Sequence, residues 1–422
     1  MRTQLGVFES ERGTKFCRGC SSTNLFQVIQ LGDLPIANEL PKDPDELIDL
    51  FPLDFSVCRD CGLGQIGEPI SRERLFSDYR YLSSISATWL EHARKFAVRM
   101  TNELKLMKED LVVEIASNDG YLLQYFADLG VKVIGVEPAE NVAQRATNKG
   151  IETYVEFFGL DCSQKIKSQV GSPKLIVANN VVAHVPDIQD FFQGLSNLAN
   201  EETLISIENP SILNLITGNQ FDTIYHEHYS YLSAFAIRNL GEKFGLNLFG
   251  IEEISTHGGS NRYWMKRSVL SATERENVDK FIAHELEVGL INEAIWKSFA
   301  SAVSESLGEL RDWLAERQVN RNNVLGFTAA AKASTILNAA QIPGTAIMAI
   351  TDSSPEKQGR YLPSLGLPII SLQDMSSMKP TDILIFAWNI APEISQLIWR
   401  ELGSNVRCWV AIPKLKELTH EL

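Results

Sequence analysis

Residues 112–123 read VVEIASNDGYLL, and this stretch decides the fold. The apolar strand VVEI breaks into the turn Ser117–Gly120 and then enters a helix. The next predicted strand ends in GVEPA, which places Glu137 at its carboxyl end, 17 residues after Gly120. An acidic side chain at that point can accept hydrogen bonds from both ribose hydroxyls of a nucleotide cofactor. The spacing therefore predicts the nucleotide-binding edge of an open α/β sheet.

The chemistry of this turn favours S-adenosyl-L-methionine (SAM) over NAD. A dinucleotide needs glycines in the pattern G-x-G-x-x-G to seat its pyrophosphate at a helix N-terminus. Here the turn has one glycine and an acidic neighbour, Asp119, which would repel a pyrophosphate but suits the amino group of methionine. We assign these residues to the SAM site: Glu114, Ala116, Ser117, Asn118, Asp119, Gly120, Glu137, Pro138 and Asn179.

Alternating strand and helix patterns continue from about residue 110. Strands are predicted in LVVEIAS, VKVIGVEPA, IETYVEFF, KLIVANNVVAHV and ETLISIENP, with helical patterns between them. This rhythm indicates a parallel, doubly wound sheet. Two further strands about the HGGS turn at 257–260 would close the sheet with a hairpin. Five parallel strands with a terminal hairpin are the arrangement of class I methyltransferases.

Length and composition predict a multidomain cytoplasmic protein. A chain of 422 residues exceeds one ordinary core. Changes of pattern divide it into a zinc-binding module (1–75), a methyltransferase domain (76–270), and a helical arm with a C-terminal α/β domain (271–422). The net charge of −14 argues against nucleic acid as a partner. No apolar run approaches the ~20 residues of a membrane span, and no signal-peptide core is evident.

Four of the six cysteines form two close pairs in the first module. Two C-x-x-C turns brought together supply four thiolates, a tetrahedral set that suits Zn²⁺. Such a closed site has no open coordination position, so we expect a structural rather than a catalytic zinc. The alternative is four unrelated reduced cysteines, which the spacing disfavours. The predicted ligands are Cys17, Cys20, Cys58 and Cys61.

Motifs spread along nearly the whole chain resemble those of zinc-containing, SAM-dependent C-methyltransferases that act on nucleotide-linked ketosugars. The matching stretches are CRGC with CRDC, YRYLSSIS, EIASNDGYLL, GVEPAENVA, NNVVAHVPD, ENP, FDTIYHEHYSYLS, HGGS, AAAKASTILN and SPEKQGRYLP. The resemblance implies a zinc module, a central Rossmann-like methyltransferase sheet and a second Rossmann-like domain. Two departures stand out. Ala116 occupies a position that is usually glycine, and the turn 326–332 has fewer glycines than the usual pattern.

The stretch FDTIYHEHYSYLS, residues 221–233, admits two chemical interpretations. His226 and His228 could bind a metal, but no third ligand is evident and the H-E-x-x-H spacing is absent. Proton transfer is the favoured interpretation. Methylation of carbon beside a ketone requires removal of a proton and stabilisation of an enolate. A neutral imidazole suits the first task, and a hydroxyl or second imidazole suits the other.

The resemblance implies roles for individual residues around this stretch. We expect His228 to be the base, with Glu227 orienting it or balancing its charge. His226 is the rival base. Tyr225, His184 and Tyr79 are expected to surround the sugar and its enolate.

The C-terminal domain is expected to hold the nucleotide end of the substrate. Lys332 lies just inside a helix after a strand, as in a nucleotide-binding turn, although a solvated loop is the alternative interpretation of the downstream cations. The full set of predicted substrate contacts is Ser83, Ser84, Asn180, Gly259, Ser260, Lys332, Lys357 and Arg360.

These features predict SAM-dependent C-methylation of an NDP-4-ketosugar at carbon 3, in the biosynthesis of branched deoxysugars. Carbon 3 is favoured because it adjoins the ketone at carbon 4. Two alternatives are a zinc-ribbon interaction protein with a degenerate methyltransferase fold and an NAD-dependent nucleotide-sugar enzyme. The sequence leaves the oligomeric state open, and a monomer is compatible with it.

Overall fold

The computed structural model describes residues 14–76 and 82–420, apart from the side chain of His257. Three sheets organise this part of the chain: one of four strands near the N-terminus and two of seven strands each.

The N-terminal sheet is antiparallel, in the order β1-β2-β3-β9. Its last strand comes from the segment FDTIYHEHYSYLS, so this sheet carries the stretch that sequence analysis assigned to catalysis. Phe55 anchors the sheet, because its ring lies 4.9 Å from that of Tyr231 and 5.5 Å from that of Trp296. The elements are β1 (Leu25–Pro35), β2 (Leu50–Cys58), β3 (Gly64–Ile66), α1 (Arg72–Phe76) and β9 (Ser230–Tyr231).

The central sheet has the order β10-β11-β8-β7-β4-β5-β6. Its strands β4 to β8 run parallel, and β11 pairs antiparallel with β8 and β10. The strands are β4 (Leu111–Ile115), β5 (Lys132–Val136), β6 (Thr153–Tyr154), β7 (Leu175–Asn179), β8 (Leu204–Pro210), β10 (Asn247–Ile254) and β11 (Ser260–Lys266). The helices are α2 (Ala87–Glu103), α3 (Leu123–Asp128), α4 (Glu140–Asn148), α5 (Leu160–Val170), α6 (Ile188–Leu198), α7 (Ile212–Thr217) and α8 (Ala234–Lys243).

Burial and capping explain why these segments form these elements. Every residue of β4 and β7 is buried, as expected for strands covered by helices on both faces. The side chains of Ser86, Asp187 and Ser233 accept hydrogen bonds from the first turns of α2, α6 and α8. The sheet and its helices therefore follow from patterns that the sequence displays locally.

A helical arm leads to the third sheet, in the order β14-β15-β13-β12-β16-β17-β18. A capping box between Ser271 and Glu274 starts the arm. The arm comprises α9 (Ala272–Val288) and α10 (Glu293–Val319). The third sheet and its helices are β12 (Val324–Phe327), α11 (Ala331–Ala339), β13 (Ile350–Thr351), β14 (Tyr361–Leu362), β15 (Leu367–Ile370), α12 (Leu372–Met375), β16 (Asp382–Ile385), α13 (Ala391–Leu402), β17 (Arg407–Val410) and β18 (Lys416–Leu418).

The predicted α/β fold class is confirmed, with two differences in detail. Only Thr153–Tyr154 of IETYVEFF pairs as a strand. The phenylalanines that follow turn elsewhere, with Phe158 lying edge-on to Phe191 of α6. The third sheet is mixed rather than fully parallel, because β14 and β18 pair antiparallel with their neighbours. The predicted domain bounds stay predictions.

Within the described residues, each helix is too short or too polar to cross a membrane.

Candidate active site

A cavity of about 590 Å³ opens at the carboxyl ends of β4, β5, β7 and β8. In an open α/β sheet this edge is where ligands bind. The central domain contributes the turn after β4 and Glu137 after β5. The N-terminal part contributes Asn38 and Arg72, while Lys332 comes from α11. A cofactor and a second ligand can therefore occupy one space formed by all three parts of the chain.

The turn after β4 has an unusual backbone that frames one end of the cavity. Ala116, Asn118 and Gly120 have φ angles of 55°, 51° and 76°, in the left-handed region. Glu137 ties this turn to β5, since its Oε2 accepts from the N–H of Asn118 at 3.0 Å and its Oε1 from that of Ala139 at 2.9 Å. The turn and the acidic residue are thus held together as one unit.

The residues at this end of the cavity fit SAM. Burial raises the pKa of Glu137 to about 7, although the N–H groups of Ala139 and Asn118 oppose the rise. Hydroxyl donors of a ribose would favour the charged carboxylate. The buried side-chain oxygen of Asn179 has no hydrogen-bond partner in the described part of the chain and can receive the cofactor's donors. The predicted SAM residues that line the cavity are Ala116, Asn118, Glu137, Pro138 and Asn179.

Four predicted SAM residues lie beneath the turn rather than in the cavity wall. Glu114 is fully buried within β4, and burial raises the pKa of its carboxyl well above the usual range. The carboxylate of Asp119 accepts a hydrogen bond from the hydroxyl of Ser84 and lies 3.5 Å from Nζ of Lys149. Asp119 therefore supports the turn, and its expected contact with the amino group of methionine stays a prediction. The other two are Ser117 and Gly120.

Tyr225 and His228 form a hydrogen-bonded pair on the opposite wall. The hydroxyl of Tyr225 lies 2.7 Å from Nε2 of His228, and the two ring centroids are 4.0 Å apart. Nδ1 of His228 lies 2.9 Å from the carbonyl of Thr223. Because a carbonyl only accepts, Nδ1 carries the hydrogen and Nε2 accepts from Tyr225. The pair is arranged for a proton to pass from the tyrosine to the histidine.

His184 lies beside this pair, at the end of β7. Its ring centroid is 4.7 Å from that of His228, and its Nδ1–H donates to the carbonyl of Glu227 at 2.7 Å. Burial lowers the pKa of His184 to about 4, against the opposing effect of that carbonyl. The imidazole is therefore neutral near pH 7. It presents Nε2 as a hydrogen-bond acceptor.

Glu227 turns away from the histidine that it was expected to orient. Its Oε1 accepts two hydrogen bonds from Asn38, and its Oε2 has no partner among residues 14–76 and 82–420. Burial raises the pKa of this carboxyl to about 7. Glu227 lines the cavity and is 2 % exposed, so it offers the cavity a carboxyl that ionises near neutral pH.

The rival base, His226, lies outside the cavity wall. Its Nε2 is 3.2 and 3.3 Å from the carbonyls of Phe51 and Pro52. Burial lowers its pKa to about 4. This environment favours His228 over His226 as the base. Tyr79 lies outside the described residues.

The predicted substrate residues divide between the cavity and its surroundings. Lys332 and Lys357 line the cavity together with Ser83 and Asn180. Nζ of Lys332 lies 4.2 Å from the centroid of the Trp388 ring. The residues placed outside the cavity wall are Ser84, Gly259, Ser260 and Arg360, whose Nη1 donates to the carbonyl of Leu40.

Several cavity residues come from segments that sequence analysis did not assign to the site. Asn38 follows β1, and Arg72 and Arg74 belong to α1. Arg74 is paired with Glu39 and Asp49, whereas the guanidinium of Arg72 lies over the ring of Phe157. The sequence signal for these residues is weak, because each resembles an ordinary polar residue in a turn or a short helix. Further cavity residues of this kind are Phe76, Trp89, Tyr121, Asn209 and Asn389.

The four cysteines of the first module meet in one cluster. Their sulfur atoms all lie within 4.8 Å of one another, with 3.5 Å between Cys17 and Cys61 and 3.6 Å between Cys20 and Cys58. A tetrahedron with Zn–S bonds of about 2.3 Å separates its sulfurs by about 3.7 Å, so the cluster fits zinc. Between the first pair of cysteines, Arg18 donates to the carbonyls of Ile66, Gly67 and Tyr229.

Comparisons with known proteins agree with this geometry. A family profile described as "Putative zinc binding domain" matches residues 17–76, one described as "Methyltransferase domain" matches 89–249, and one described as "C-methyltransferase C-terminal domain" matches 255–413. C-methyltransferase NovU of Streptomyces niveus is 32 % identical over 407 residues, which cover 96 % of this chain and 97 % of NovU. This chain belongs to the C-methyltransferase family.

This C-methyltransferase is SAM-dependent and carries a structural zinc, as predicted. Family membership sets aside the non-catalytic and NAD-dependent alternatives. Among solved structures, a magnesium protoporphyrin IX methyltransferase of Synechocystis is 16 % identical with a TM-score of 0.32, over 42 % of this chain and 78 % of that one. A SAM-dependent methyltransferase of Anabaena variabilis is 13 % identical with a TM-score of 0.34, over 48 % and 100 %. Likeness at this level carries no functional conclusion.

Proposed function

We propose that this C-methyltransferase methylates carbon 3 of a nucleotide-linked 4-ketosugar. The observation that carries the proposal is the hydrogen-bonded pair of Tyr225 and His228 in the same cavity as the SAM turn. A carbon next to a ketone becomes nucleophilic only after a proton leaves it. An enzyme for this reaction therefore needs a proton acceptor between its cofactor site and its substrate site.

The pair can accept this proton in one concerted movement. The C–H bond of carbon 3 breaks, and its proton goes to the oxygen of Tyr225 as the hydroxyl proton moves to Nε2 of His228. The electron pair delocalises onto the ketone oxygen as an enolate. The carbonyl of Thr223 stabilises the resulting imidazolium through the Nδ1–H of His228. SAM, when bound, supplies the methyl group that the enolate carbon takes up.

The far side of the cavity suits a nucleotide diphosphate. Lys332 and Lys357 line it from the C-terminal domain, and Arg72 lines it from α1. Lys357 is held by the carbonyl of Ala329 at 2.8 Å, which fixes its position. Cations in an otherwise acidic protein attract phosphate groups. Phosphates bound here would position the sugar between the lysines and the catalytic pair.

The test is incubation with SAM and a panel of NDP-4-ketosugars, followed by mass spectrometry. We expect the mass gain of one methyl group replacing one hydrogen, and carbon-13 labelled SAM should place the new methyl on carbon by NMR. The matched control is the same sugar with a hydroxyl at carbon 4, which should be neither methylated nor exchanged with solvent deuterium. A methyl on oxygen, or equal turnover of the control, would contradict the proposal.

A cytoplasmic location stays a prediction. A reducing compartment favours it, because the four thiolates must remain available to zinc.

A further inference from the structure

Asn209 is a buried amide that the catalytic roles above do not use. It lies in β8, one residue from the carboxyl end of the strand, and is 1 % exposed. Neither its Oδ1 nor its Nδ2 has a hydrogen-bond partner among the described residues. An amide buried without partners costs on the order of 2 kcal/mol or more. Such a side chain is retained where a ligand completes its hydrogen bonds.

Asn209 lines the active-site cavity and also a second cavity of about 20 Å³ behind it. Ser230 lines the small cavity too, and its buried hydroxyl likewise lacks a partner in the described part of the chain. One water needs roughly 10–15 Å³ and a few polar groups. A water in the small cavity can therefore bond both Ser230 and one atom of the amide. The amide can rotate, so its NH₂ group can face the active-site cavity while its oxygen faces the water.

The proposed enolate requires a hydrogen-bond donor at its oxygen. The hydroxyl hydrogen of Tyr225 is directed to Nε2 of His228, and the Nδ1–H of His228 to the carbonyl of Thr223. His184 donates its Nδ1–H to the carbonyl of Glu227, which leaves Nε2 as an acceptor. The hydrogens of this cluster are thus committed to other acceptors. The NH₂ of Asn209 supplies a neutral donor whose hydrogens have no acceptor among the described residues.

We propose that Asn209 is a catalytic residue whose Nδ2–H donates to the ketone oxygen of the acceptor and stabilises the enolate. This inference rests on the proposed ketosugar methylation. A donor fixed in place before the reaction stabilises the charge that develops on the oxygen. Removal of one such donor typically lowers kcat by about 10²–10³-fold.

The experiment compares Asn209→Ala and Asn209→Asp with Asn261→Ala. Asn261 is the matched control because it is directly paired with Asn209 across β11, is also buried and lies outside both cavity walls. Asp keeps the shape of Asn but lacks the N–H donors. Folding is checked by the thermal midpoint and zinc content, and SAM affinity by calorimetry. Two rates are measured: methyl transfer, and deuterium exchange at the acceptor carbon without SAM.

We expect both Asn209 variants to lose about 10²–10³-fold in methyl transfer and in exchange, with SAM affinity within about threefold of the wild type. Asn261→Ala should keep both rates within about threefold. Wild-type turnover that either folded Asn209 variant retains would overturn this inference and leave the proposed function intact. No exchange and no methyl transfer by the wild type with any ketosugar would overturn the proposed function and this inference with it.

Discussion

The side chain of Glu227 is held by Asn38, whose backbone N–H and side-chain amide donate to the same oxygen at 3.2 and 3.0 Å. The two residues are 189 positions apart in the sequence. Asn38 follows the first strand of the N-terminal sheet, whereas Glu227 lies between the two histidines of the central segment. The part of the chain that binds zinc therefore also fixes the position of a carboxyl in the active site.

Replacement of this carboxyl should change the pH dependence of stability. Burial raises the pKa of Glu227 from 4.5 to about 7 in the folded protein. Its stabilising contribution is therefore present below pH 4.5 and is lost as the pH rises through 7. Glu227→Gln cannot ionise, so between pH 4.5 and 8 its free energy of unfolding should rise relative to wild type by on the order of 3 kcal/mol. Urea unfolding at a series of pH values measures this difference.

The comparison with wild type matters because Glu137 and Glu285 have pKa values raised in the same direction. Their contributions cancel in the difference. Glu253→Gln, on the exposed side of β10, is the control and should leave the difference near zero across the same range. A Glu227→Gln difference that does not vary with pH would show that the carboxyl ionises normally.

Loss of the Tyr225 hydroxyl should abolish the proton path. Tyr225→Phe retains the ring beside His228 but removes the group 2.7 Å from Nε2. We expect kcat and solvent deuterium exchange to fall together by roughly 10²–10⁴-fold. Tyr229→Phe is the matched control, because its hydroxyl donates to the carbonyl of Ile70, outside the cavity wall. That variant should lose about 1 kcal/mol of stability and keep its turnover.

The two histidines of the segment should behave differently. His226→Asn places an amide against the carbonyls of Phe51 and Pro52 and leaves the cavity wall unchanged, so kcat should stay within about fivefold of wild type. His228→Asn removes the acceptor of the Tyr225 proton and should cost roughly 10²–10⁴-fold in kcat. Steady-state kinetics of the two variants at pH 7 distinguishes them. The reverse order would assign the base to His226.

Local patterns in the sequence predicted most of the fold. The apolar run of β4, the acidic end of β5 and the hairpin around HGGS are each visible within a few residues, since strand burial and turn geometry depend on near neighbours. The pairing of β3 with β9 is not visible in this way, because its two strands are distant in sequence and only two residue pairs long.

The same distinction separates the parts of the site. Ala116, Glu137 and His228 were assigned to it from their motifs, and all three line the cavity. The direction of the Glu227 side chain depends on Asn38, and the position of Arg72 depends on α1 packing against the central domain. Contacts between distant segments set both, and a single sequence carries no periodic signal of such contacts.

The zinc cluster should support the active-site segment as well as its own module. Cys17→Ser removes one of four thiolates, so bound zinc should fall from one per chain to near zero, and the thermal midpoint should drop by roughly 10 °C or more. Arg18 then loses its fixed position against the carbonyl of Tyr229, so turnover should be lost as well. Cys162→Ser, buried in α5 far from the cluster in sequence, is the control and should retain one zinc. Zinc retained by Cys17→Ser would contradict the four-thiolate site.

Ala116 should be a strained position that glycine relieves. Its φ of 55° lies in the left-handed region, which costs an alanine about 1–2 kcal/mol, whereas glycine adopts it freely. Allowing for the greater entropy of an unfolded glycine, Ala116→Gly should stabilise the protein by about 0.5–1 kcal/mol, and SAM should bind as tightly or more tightly. Ala139→Gly is the matched control, because Ala139 has an ordinary φ of −80° and is fully buried, so this change should destabilise by about 1 kcal/mol. Urea unfolding and calorimetry with SAM measure both effects, and a loss of stability in Ala116→Gly would mean that the methyl group of Ala116 contributes more by packing than its backbone conformation costs.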